Sequence, residues 1–389
     1  MIDYSSLLNE NIKEVKPSGI RKFFDIANEM DNVISLSIGE PDFKTPWHIR
    51  EAGIESLQKG RTWYSPNRGF NELREEISTY FSNRFGVSYD SSCEVLVTVG
   101  GSEAIDLCLR CLVKNGDEVL IPQPSFVCYE PLTVMAGATP VIIETKSENE
   151  FRLTKEEVLS HITDKTKLLI LPYPNNPTGA VMRKSDLEEI AKIAIERNIL
   201  VLSDEIYAEL TYGDEPHVSI SSLKGMKERT IVVSGFSKAY AMTGWRLGYT
   251  LGPKEIVDAM TKLHQYGIMS APTTAQYAAI EALKNGYDDI KSMRDEYDMR
   301  RRLIVGGFRK MDMDCFEPMG AFYVFPCIKK TGLSSEEFCT RLIESKRVAV
   351  VPGTAFGDCG EGFVRVSYSY SIKHIQDALA RIESFLREI

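Results

Sequence analysis

Short apolar segments alternate with amphipathic helical segments through the middle of the chain, and this alternation limits the possible folds more than any other feature. The apolar segments are EVLVTV (94–99), EVLIP, TPVIIE, KLLILP, LVLSD, TIVVSG and WRLGYTL. Strands that are apolar on both faces must be covered on both sides, as in a mostly parallel sheet between layers of helices. The sequence therefore predicts an α/β fold with a large, mostly parallel sheet covered by helices.

The residues that flank this region predict a second, smaller domain. The chain is largely helical from about 254 to 311, and the strand-like segments AFYVFP, RVAVV and FVRVSY follow, interleaved with two helices. The segment before the sheet is expected to pack with this C-terminal part. We expect an N-terminal arm that forms part of the small domain at 1–46, a large domain at 47–285 and a small α+β domain at 286–389.

Composition narrows the classes of function. The net charge of −9 argues against a nucleic-acid partner or an anionic membrane surface. No apolar run approaches the ~20 residues of a membrane-spanning helix, and the first residues lack the apolar stretch of a signal peptide. The eight cysteines follow no disulfide pattern, which favours the cytoplasm. The five histidines lie far apart, so no metal site is expected.

Two strand ends carry groups that suit ligand binding. In TVGGSEAI, the backbone N–H groups of Gly101, Ser102 and Glu103, with the Ser102 hydroxyl, would bind a phosphate at a helix start. A tight strand-to-helix turn explains the same residues equally well. In YPNNPTGA, Pro177 restricts Asn176 to an extended conformation, so that Asn176 would present a fixed amide. A simple turn is a strong alternative there too.

Two further strand ends carry charges. Asp204 ends the strand of LVLSDEIY, where a buried carboxylate needs a cationic partner; a helix N-cap is the alternative. Lys238 lies just past the strand TIVVSG, and Arg246 follows it by eight residues. Loss of hydration at such a position lowers the pKa of a lysine and frees its amine as a nucleophile. A surface lysine in a loop is the alternative, which the accompanying charged strand ends make less attractive.

These residues carry a resemblance to a known family. SGFSKAYAMTGWRLG resembles the lysine signature of class I pyridoxal-phosphate-dependent aminotransferases, in the aspartate aminotransferase superfamily of fold type I. In that signature an arginine follows the lysine by eight residues. The segments NNPTG, SDEIY, ISLSIGEPDF, YSPNRGFNELREEI and FVRVSYS also resemble family motifs, in family order. The resemblance spans roughly residues 18 to 385.

The resemblance implies that the large domain binds pyridoxal 5′-phosphate. Lys238 would form the Schiff base with its aldehyde and then move a proton during the reaction. Asp204 would hold the pyridine nitrogen protonated, which makes the ring an electron sink. Asn176 and Tyr207 would hydrogen-bond the 3′-oxygen of the cofactor. Phe126, in QPSFVCYEP, would stack on its ring.

The resemblance also implies a phosphate site and a dimer. Arg246 matches the phosphate-binding arginine. The position three before the lysine is often a phosphate-binding serine, but here it is Gly235, so Ser234 or Ser237 is expected to substitute. Tyr64 matches a tyrosine that reaches the phosphate of the neighbouring subunit, which implies a homodimer with shared active sites.

Substrate binding follows from the same comparison. Arg365, in FVRVSY, matches the arginine that binds the substrate α-carboxylate, assisted by the backbone of Gly39. Some aspartate-specific relatives carry a lysine at the position of Ser102, and others use an arginine from the partner subunit that has no evident counterpart around HQYGIMSAPTT. We therefore expect aromatic, neutral or broad specificity rather than strict aspartate specificity.

The expected reaction is transfer of an amino group from an L-amino acid to a 2-oxo acid by a ping-pong mechanism. A C–S β-lyase or a related enzyme of the same fold would use the same lysine, aspartate and arginine, so it stays an alternative. A non-catalytic regulator with an aminotransferase-like domain is a remote alternative, since such proteins carry a basic DNA-binding module before that domain.

Overall fold

The computed structural model describes residues 2–15, 17, 19 and 30–389 of the chain. Its strands are β1 (Ile34–Ser35), β2 (Val95–Thr98), β3 (Glu118–Gln123), β4 (Thr139–Glu144), β5 (Thr166–Leu171), β6 (Leu200–Asp204), β7 (Thr230–Gly235), β8 (Gly248–Leu251), β9 (Tyr323–Val324), β10 (Val348–Ala349), β11 (Val351–Pro352) and β12 (Val364–Ser367). Its α-helices are α1 (Glu10–Glu14), α2 (Trp47–Gln58), α3 (Asn71–Phe85), α4 (Gly101–Leu112), α5 (Tyr129–Met135), α6 (Lys155–His161), α7 (Lys184–Glu196), α8 (Lys254–Gly267), α9 (Thr273–Asn285), α10 (Tyr287–Lys310), α11 (Ser335–Lys346) and α12 (Ile372–Leu386).

The apolar runs of the middle region form one sheet. Strands β2 to β8 lie in the order β2-β8-β7-β6-β5-β3-β4. Neighbouring strands are parallel from β7 through to β4, whereas β8 runs antiparallel to both β2 and β7. The predicted α/β fold, with a large and mostly parallel sheet covered by helices, is confirmed.

The strands of this sheet are buried on both faces, as their continuous apolar sequences predict. In β5, Leu168 and Ile170 pack with residues of α4 and α8 on one face. Leu169 and Leu171 point the other way and pack with residues of α6 and α7. Helices α3 and α9 cover the same second face where it includes β2 and β8. The sheet is thus the middle layer of three.

Strand direction brings the predicted functional residues to one edge of the sheet. Strands β5, β6 and β7 are parallel, and β2 runs in the same direction as β7 because the antiparallel β8 lies between them. The C-terminal ends of these four strands lead to Asn176, Asp204, Lys238 and Ser102. This is the edge at which open α/β sheets bind their ligands.

The last helix shows how local sequence shapes the small domain. The N-cap residue of α12 is Ser371, whose hydroxyl accepts a hydrogen bond from the His374 N–H at 3.3 Å. The buried residues of the helix recur every three or four positions and therefore form one apolar face: Ile375, Ala378, Ile382 and Phe385. This face joins the core of the small domain.

The smaller sheets lie outside the large one. Strands β11, β12 and β9 form an antiparallel sheet, and β1 pairs in parallel with β10. Helices α10, α11 and α12 share a core with these strands. We propose that the chain divides at 46/47 and 285/286, since α10 begins at Tyr287 and β1 joins the C-terminal region.

The described residues leave out part of the N-terminal arm. Residues 20–29 of the predicted N-terminal arm lie outside the described residues. Within the described residues, no helix combines the length and the apolar composition that crossing a bilayer requires.

Candidate active site

A cavity of about 610 Å³ lies at the edge where the strand ends meet. This volume is within the usual range for sites that bind small molecules. Most of the site residues predicted from the sequence line the cavity, and they come from widely separated parts of the chain. They are Gly39, Gly101, Ser102, Phe126, Asn176, Asp204, Tyr207, Ser237, Lys238, Arg246 and Arg365.

Lys238 occupies the turn after β7, and its amine faces the cavity. The Nζ atom donates a hydrogen bond to the Gly39 carbonyl oxygen at 2.6 Å. It also lies 5.7 Å and 5.8 Å from the ring centroids of Tyr207 and Phe322. Burial, followed by the nearby Arg365, lowers the pKa of Lys238 to about 8. At pH 7 roughly a tenth of an amine with this pKa is neutral, far more than for an ordinary lysine, which favours a nucleophilic role.

Asp204 is the last residue of β6, and its buried carboxylate has neutral hydrogen-bond donors. The Tyr129 hydroxyl donates to Oδ2 at 2.7 Å, and the Ile206 N–H donates to Oδ1 at 3.2 Å. Burial raises the pKa of Asp204 to about 6, against the opposing effects of Tyr129, Ile206 and Lys238. A carboxylate held in this way is suited to a cationic or proton-sharing group of a ligand.

Arg365 lies on β12, is buried and lines the same cavity. Its guanidinium donates to Asn176 Oδ1 at 3.0 Å and to the Ser37 carbonyl oxygen. It lies 4.8 Å from the ring centroids of both Tyr323 and Phe356. Its buried Nε has no hydrogen-bond partner within the part of the chain that the structure describes, and burial lowers the pKa of the guanidinium below its usual value. Among the described residues, no carboxylate compensates this cation.

The start of α4 and Arg246 form the polar end of the cavity. Gly101 and Ser102 begin the helix, where backbone N–H groups have no partner within the helix. Arg246 donates to the Thr243 carbonyl oxygen at 3.0 Å. A Cβ atom at Gly100 would lie 2.9 Å from Arg246 Nη2, and Gly100 has a φ of +79°. Glycine at this position therefore lets the arginine approach the helix start.

Glu103 and Ser234 are not brought into the cavity by their side chains. The Glu103 carboxylate turns back to accept from the Val99 N–H and lies 2.8 Å from His264 Nδ1. Glu103 lies in the first turn of α4, so its backbone N–H is the group that it could offer to a phosphate. The Ser234 hydroxyl donates to the Glu205 carbonyl oxygen at 3.4 Å, away from the cavity.

The glycine at the position of the usual phosphate-binding serine has a structural cause. A Cβ atom at Gly235 would lie 2.9 Å from Gly248 Cα on the paired strand β8. A serine does not fit between these backbones. Of the two serines expected to substitute for it, Ser237 lines the cavity and Ser234 does not.

Comparison with known proteins identifies the family. The family model described as aminotransferase class I and II matches residues 31–382. The chain belongs to this family. The resemblance drawn from the sequence motifs is therefore confirmed, and the protein is an aminotransferase.

Individual relatives match this aminotransferase along almost its whole length. It is 47% identical to an aspartate aminotransferase of Pyrococcus abyssi over 98% of each chain. It is 46% identical to aromatic-amino-acid aminotransferase 2 of Thermococcus litoralis, covering 98% of each chain. The structure of an aspartate aminotransferase from Thermus thermophilus with maleate matches with a TM-score of 0.93 and 37% identity, covering 97% of this chain and 99% of that one.

Two further tyrosines, Tyr129 and Tyr323, line the cavity of the aminotransferase and were not predicted from the sequence. Tyr129, on α5, donates to Asp204, and its ring meets Phe126 edge to face at 6.1 Å. The Tyr323 hydroxyl lies 2.9 Å from the Tyr207 hydroxyl, and its ring packs against Arg365. A tyrosine within the apolar run AFYVFP was the available signal, because a buried hydroxyl needs a partner. Nothing in FVCYEP distinguishes Tyr129 from an ordinary helix residue.

Tyr64, predicted to reach the site of a neighbouring subunit, does not line the cavity of its own chain. Its side chain is 78% exposed, next to Trp63, which is 61% exposed. The Trp63 carbonyl oxygen accepts from Thr273 Oγ1 at 2.8 Å, and Asn67 Nδ2 donates to the Met269 carbonyl oxygen at 2.8 Å. The loop that carries Tyr64 is therefore fixed on α9 and on the segment before it, with its aromatic side chains outward.

Proposed function

We propose that the cavity binds pyridoxal 5′-phosphate and that the enzyme transfers an amino group from an L-amino acid to a 2-oxo acid. One observation carries the proposal: a lysine amine with a lowered pKa and a buried aspartate face the same cavity as two arginines. The bound cofactor would serve as the electron sink for the substrate Cα.

The residues present fit this cofactor at each of its polar ends. Lys238 Nζ, which faces the cavity, would hold the aldehyde covalently. The hydrogen bonds to Asp204 among the described residues come from the neutral donors Tyr129 and Ile206, and a protonated pyridine nitrogen would supply a cationic partner. The N–H groups at the start of α4, the Ser102 hydroxyl and Arg246 would bind the phosphate. Phe126 would pack against the ring.

Arg365 would bind the substrate α-carboxylate. Counting the described residues alone, the buried guanidinium has an unpartnered Nε and no compensating carboxylate, which is costly, and an incoming carboxylate would remove that cost. Arginine also presents two parallel N–H groups, which match a carboxylate in geometry. Asn176 and Tyr323 fix the guanidinium by hydrogen bonding and by stacking.

The chain's own groups supply the proton transfers. Lys238 Nζ would take the proton from the substrate Cα and return it, since its lowered pKa allows both protonation states near neutral pH. Asp204 would keep its partner nitrogen protonated throughout. The amino acid and the 2-oxo acid both carry an α-carboxylate, so Arg365 would bind each of them. Because the two substrates would use the same site, they would bind in turn, which favours a ping-pong order.

The charges around the cavity favour an uncharged or aromatic substrate side chain. The cations that line it are Lys238, Arg246 and Arg365, and each already has a role. A substrate with a second carboxylate would require a further cation. Some aspartate-specific relatives have a lysine at the start of this helix, whereas this chain has the neutral Ser102 there. Relatives of nearly equal identity include an aspartate and an aromatic-amino-acid enzyme, so sequence identity does not distinguish between these substrates. We propose aromatic, neutral or broad specificity rather than strict aspartate specificity.

We further propose that the enzyme is a homodimer whose active sites are shared. Trp63 and Tyr64 are exposed on a loop that is hydrogen-bonded to Met269, which is itself 46% exposed, and Tyr266, three residues earlier in sequence, is 85% exposed. Large exposed apolar side chains grouped in this way are typical of protein interfaces. Tyr64 would then reach the phosphate in the cavity of the partner subunit.

A cytoplasmic location fits the state of the thiols. All eight cysteines are free. Cys108 and Cys111 are spaced as C-x-x-C within α4, but Cys108 is fully buried and burial raises the pKa of both thiols, so the pair serves packing rather than redox chemistry.

A panel of amino donors and 2-oxo acids tests the reaction. The cofactor-loaded enzyme is mixed with one donor at a time, and the absorbance change of the cofactor and the release of ammonia are recorded. Transfer predicts a stoichiometric spectral change without ammonia, reversed by a 2-oxo acid. Ammonia release would instead identify the C–S β-lyase alternative or a related lyase. No spectral change with any donor would favour the non-catalytic regulator.

A further inference from the structure

Residues 37–43, called the cap loop below, place two backbone carbonyl groups on the cations of the cavity. The Ser37 carbonyl oxygen accepts from Arg365, and the Gly39 carbonyl oxygen accepts from Lys238 Nζ at 2.6 Å. A Cβ atom at Gly39 would lie 2.5 Å from the Tyr323 hydroxyl oxygen, so the loop has little room to shift. The position of the cap loop therefore affects both the lysine and the arginine.

The cap loop connects β1 to α2 without regular secondary structure of its own, so side chains must hold its centre. The Ser369 hydroxyl donates to the Glu40 carbonyl oxygen at 2.7 Å. Arg300 makes the charged contact: its Nη1 donates to Asp42 Oδ1 at 2.8 Å. The Arg300 guanidinium also lies 5.0 Å from the ring centroid of Phe43.

Arg300 is itself held rigidly. It lies on α10, is buried, and donates from Nε to Glu296 Oε1 at 3.0 Å one helical turn earlier. Its guanidinium is 5.6 Å from the ring centroid of Tyr297. A buried arginine fixed in this way is a strong anchor, because charge-assisted hydrogen bonds are about twice as strong as neutral ones.

We propose that Arg300 is a positioning residue that holds the cap loop through Asp42, so that α10 sets where the Ser37 and Gly39 carbonyl groups lie. Ordering a free loop costs conformational entropy, and the anchor makes this cost part of folding rather than of substrate binding. This inference rests on the proposed function, in which Arg365 binds the α-carboxylate. It adds that the small-domain helix prepares that site.

The neighbouring residue provides a matched control. Arg301 is equally buried on α10 and pairs with Asp298 and Glu317, each at 2.7 Å. Its guanidinium lies 5.3 Å from the ring centroid of Tyr212. It does not line the catalytic cavity, and its partners lie outside the cap loop. The variants Asp42→Asn and Glu317→Gln therefore remove one partner charge from equivalent arginines.

Hydrogen exchange of the cofactor-free protein tests the anchor directly. We expect the amides of the cap-loop peptide to exchange about tenfold faster in Asp42→Asn than in wild type. In Glu317→Gln the same peptide should exchange at the wild-type rate. Arg300→Met is the second variant and should reproduce the effect of Asp42→Asn. Equal cap-loop exchange in the Asp42 and Glu317 variants would overturn the proposal.

A binding measurement then tests the consequence for the substrate site. The ligand is the 2-methyl derivative of the best amino donor, which has no Cα proton to lose. Its dissociation constant should rise about tenfold in Asp42→Asn and stay unchanged in Glu317→Gln. Unchanged binding despite faster exchange would also overturn the proposal. Arg365→Lys separates the two claims: if it binds the ligand as wild type does, the proposed carboxylate site is wrong whatever the cap loop does.

Discussion

Replacing Lys238 with methionine should stabilise the cofactor-free protein at neutral pH, and this gain should vanish in alkaline solution. The pKa of Lys238 falls from 10.5 to about 8, chiefly because of burial. Below pH 8 the folded protein carries a protonated amine in a site that disfavours it. Between about pH 8 and 10.5 the unfolded chain binds more protons than the folded one, so wild-type stability rises with pH. The variant lacks this rise.

The size of the effect follows from the same values. A tenfold change in a protonation equilibrium corresponds to about 1.4 kcal/mol. The fall from 10.5 to about 8 therefore gives at most about 3 kcal/mol. The variant also loses the hydrogen bond to the Gly39 carbonyl oxygen. Such a bond contributes about 0.5–1.5 kcal/mol, but at every pH, so it does not hide the pH-dependent part.

The assay is urea unfolding of both cofactor-free proteins at several values between pH 7 and 10.5, followed by tryptophan fluorescence. Subtracting the two free energies of unfolding at each pH removes the titration of all shared groups. We expect the advantage of Lys238→Met to fall by about 3 kcal/mol across this range. Lys284→Met, which removes an exposed lysine paired with Glu72, should show no gain at neutral pH. A difference that is flat with pH would refute the assigned burial of the Lys238 amine.

Three further predictions concern the carboxylate and the dimer. Asp204→Asn should fold normally but lose most transamination, because an amide cannot keep the pyridine nitrogen protonated; steady-state kinetics and circular dichroism check this. Tyr129→Phe removes a donor to the Asp204 carboxylate, a bond worth about 1.5–3 kcal/mol, and so raises the pKa of Asp204 further above its usual range. The acid limb of cofactor binding should therefore move to higher pH, and an unmoved limb would contradict this. Tyr64→Phe should weaken cofactor binding about tenfold, and mixing it with Lys238→Ala should restore one tight site per hybrid dimer. A monomer, or no recovery despite proven subunit exchange, would exclude the shared site.

Much of the fold could be predicted because local sequence and global structure agree in the large domain. Within the runs KLLILP and TIVVSG, residues 168–171 and 231–233 are apolar at each position, which a sheet covered on both faces accommodates. Their strand ends then meet at one edge, which brings Asn176, Asp204 and Lys238 together without knowledge of the loops. The order of the strands in the sheet was not predicted, since it depends on contacts between distant segments.

The parts of the site that escaped prediction depend on side-chain direction. Glu103 was expected to contribute its backbone N–H to the phosphate site, and this stays a prediction; the contact of its carboxylate with His264 was not predicted. Ser234 and Ser237 were equivalent in sequence, and only the β7–β8 pairing separates them. Tyr129 donates to Asp204 from an element far along the chain, and no local pattern marks such a contact.

The most direct test of the central claim is to find which lysine carries the cofactor. The protein is incubated with pyridoxal 5′-phosphate and reduced with borohydride, and its peptides are analysed by mass spectrometry. We expect one modified residue, Lys238, and no modification at comparable yield in Lys238→Ala. A label on another lysine, or equal labelling of the variant, would contradict it.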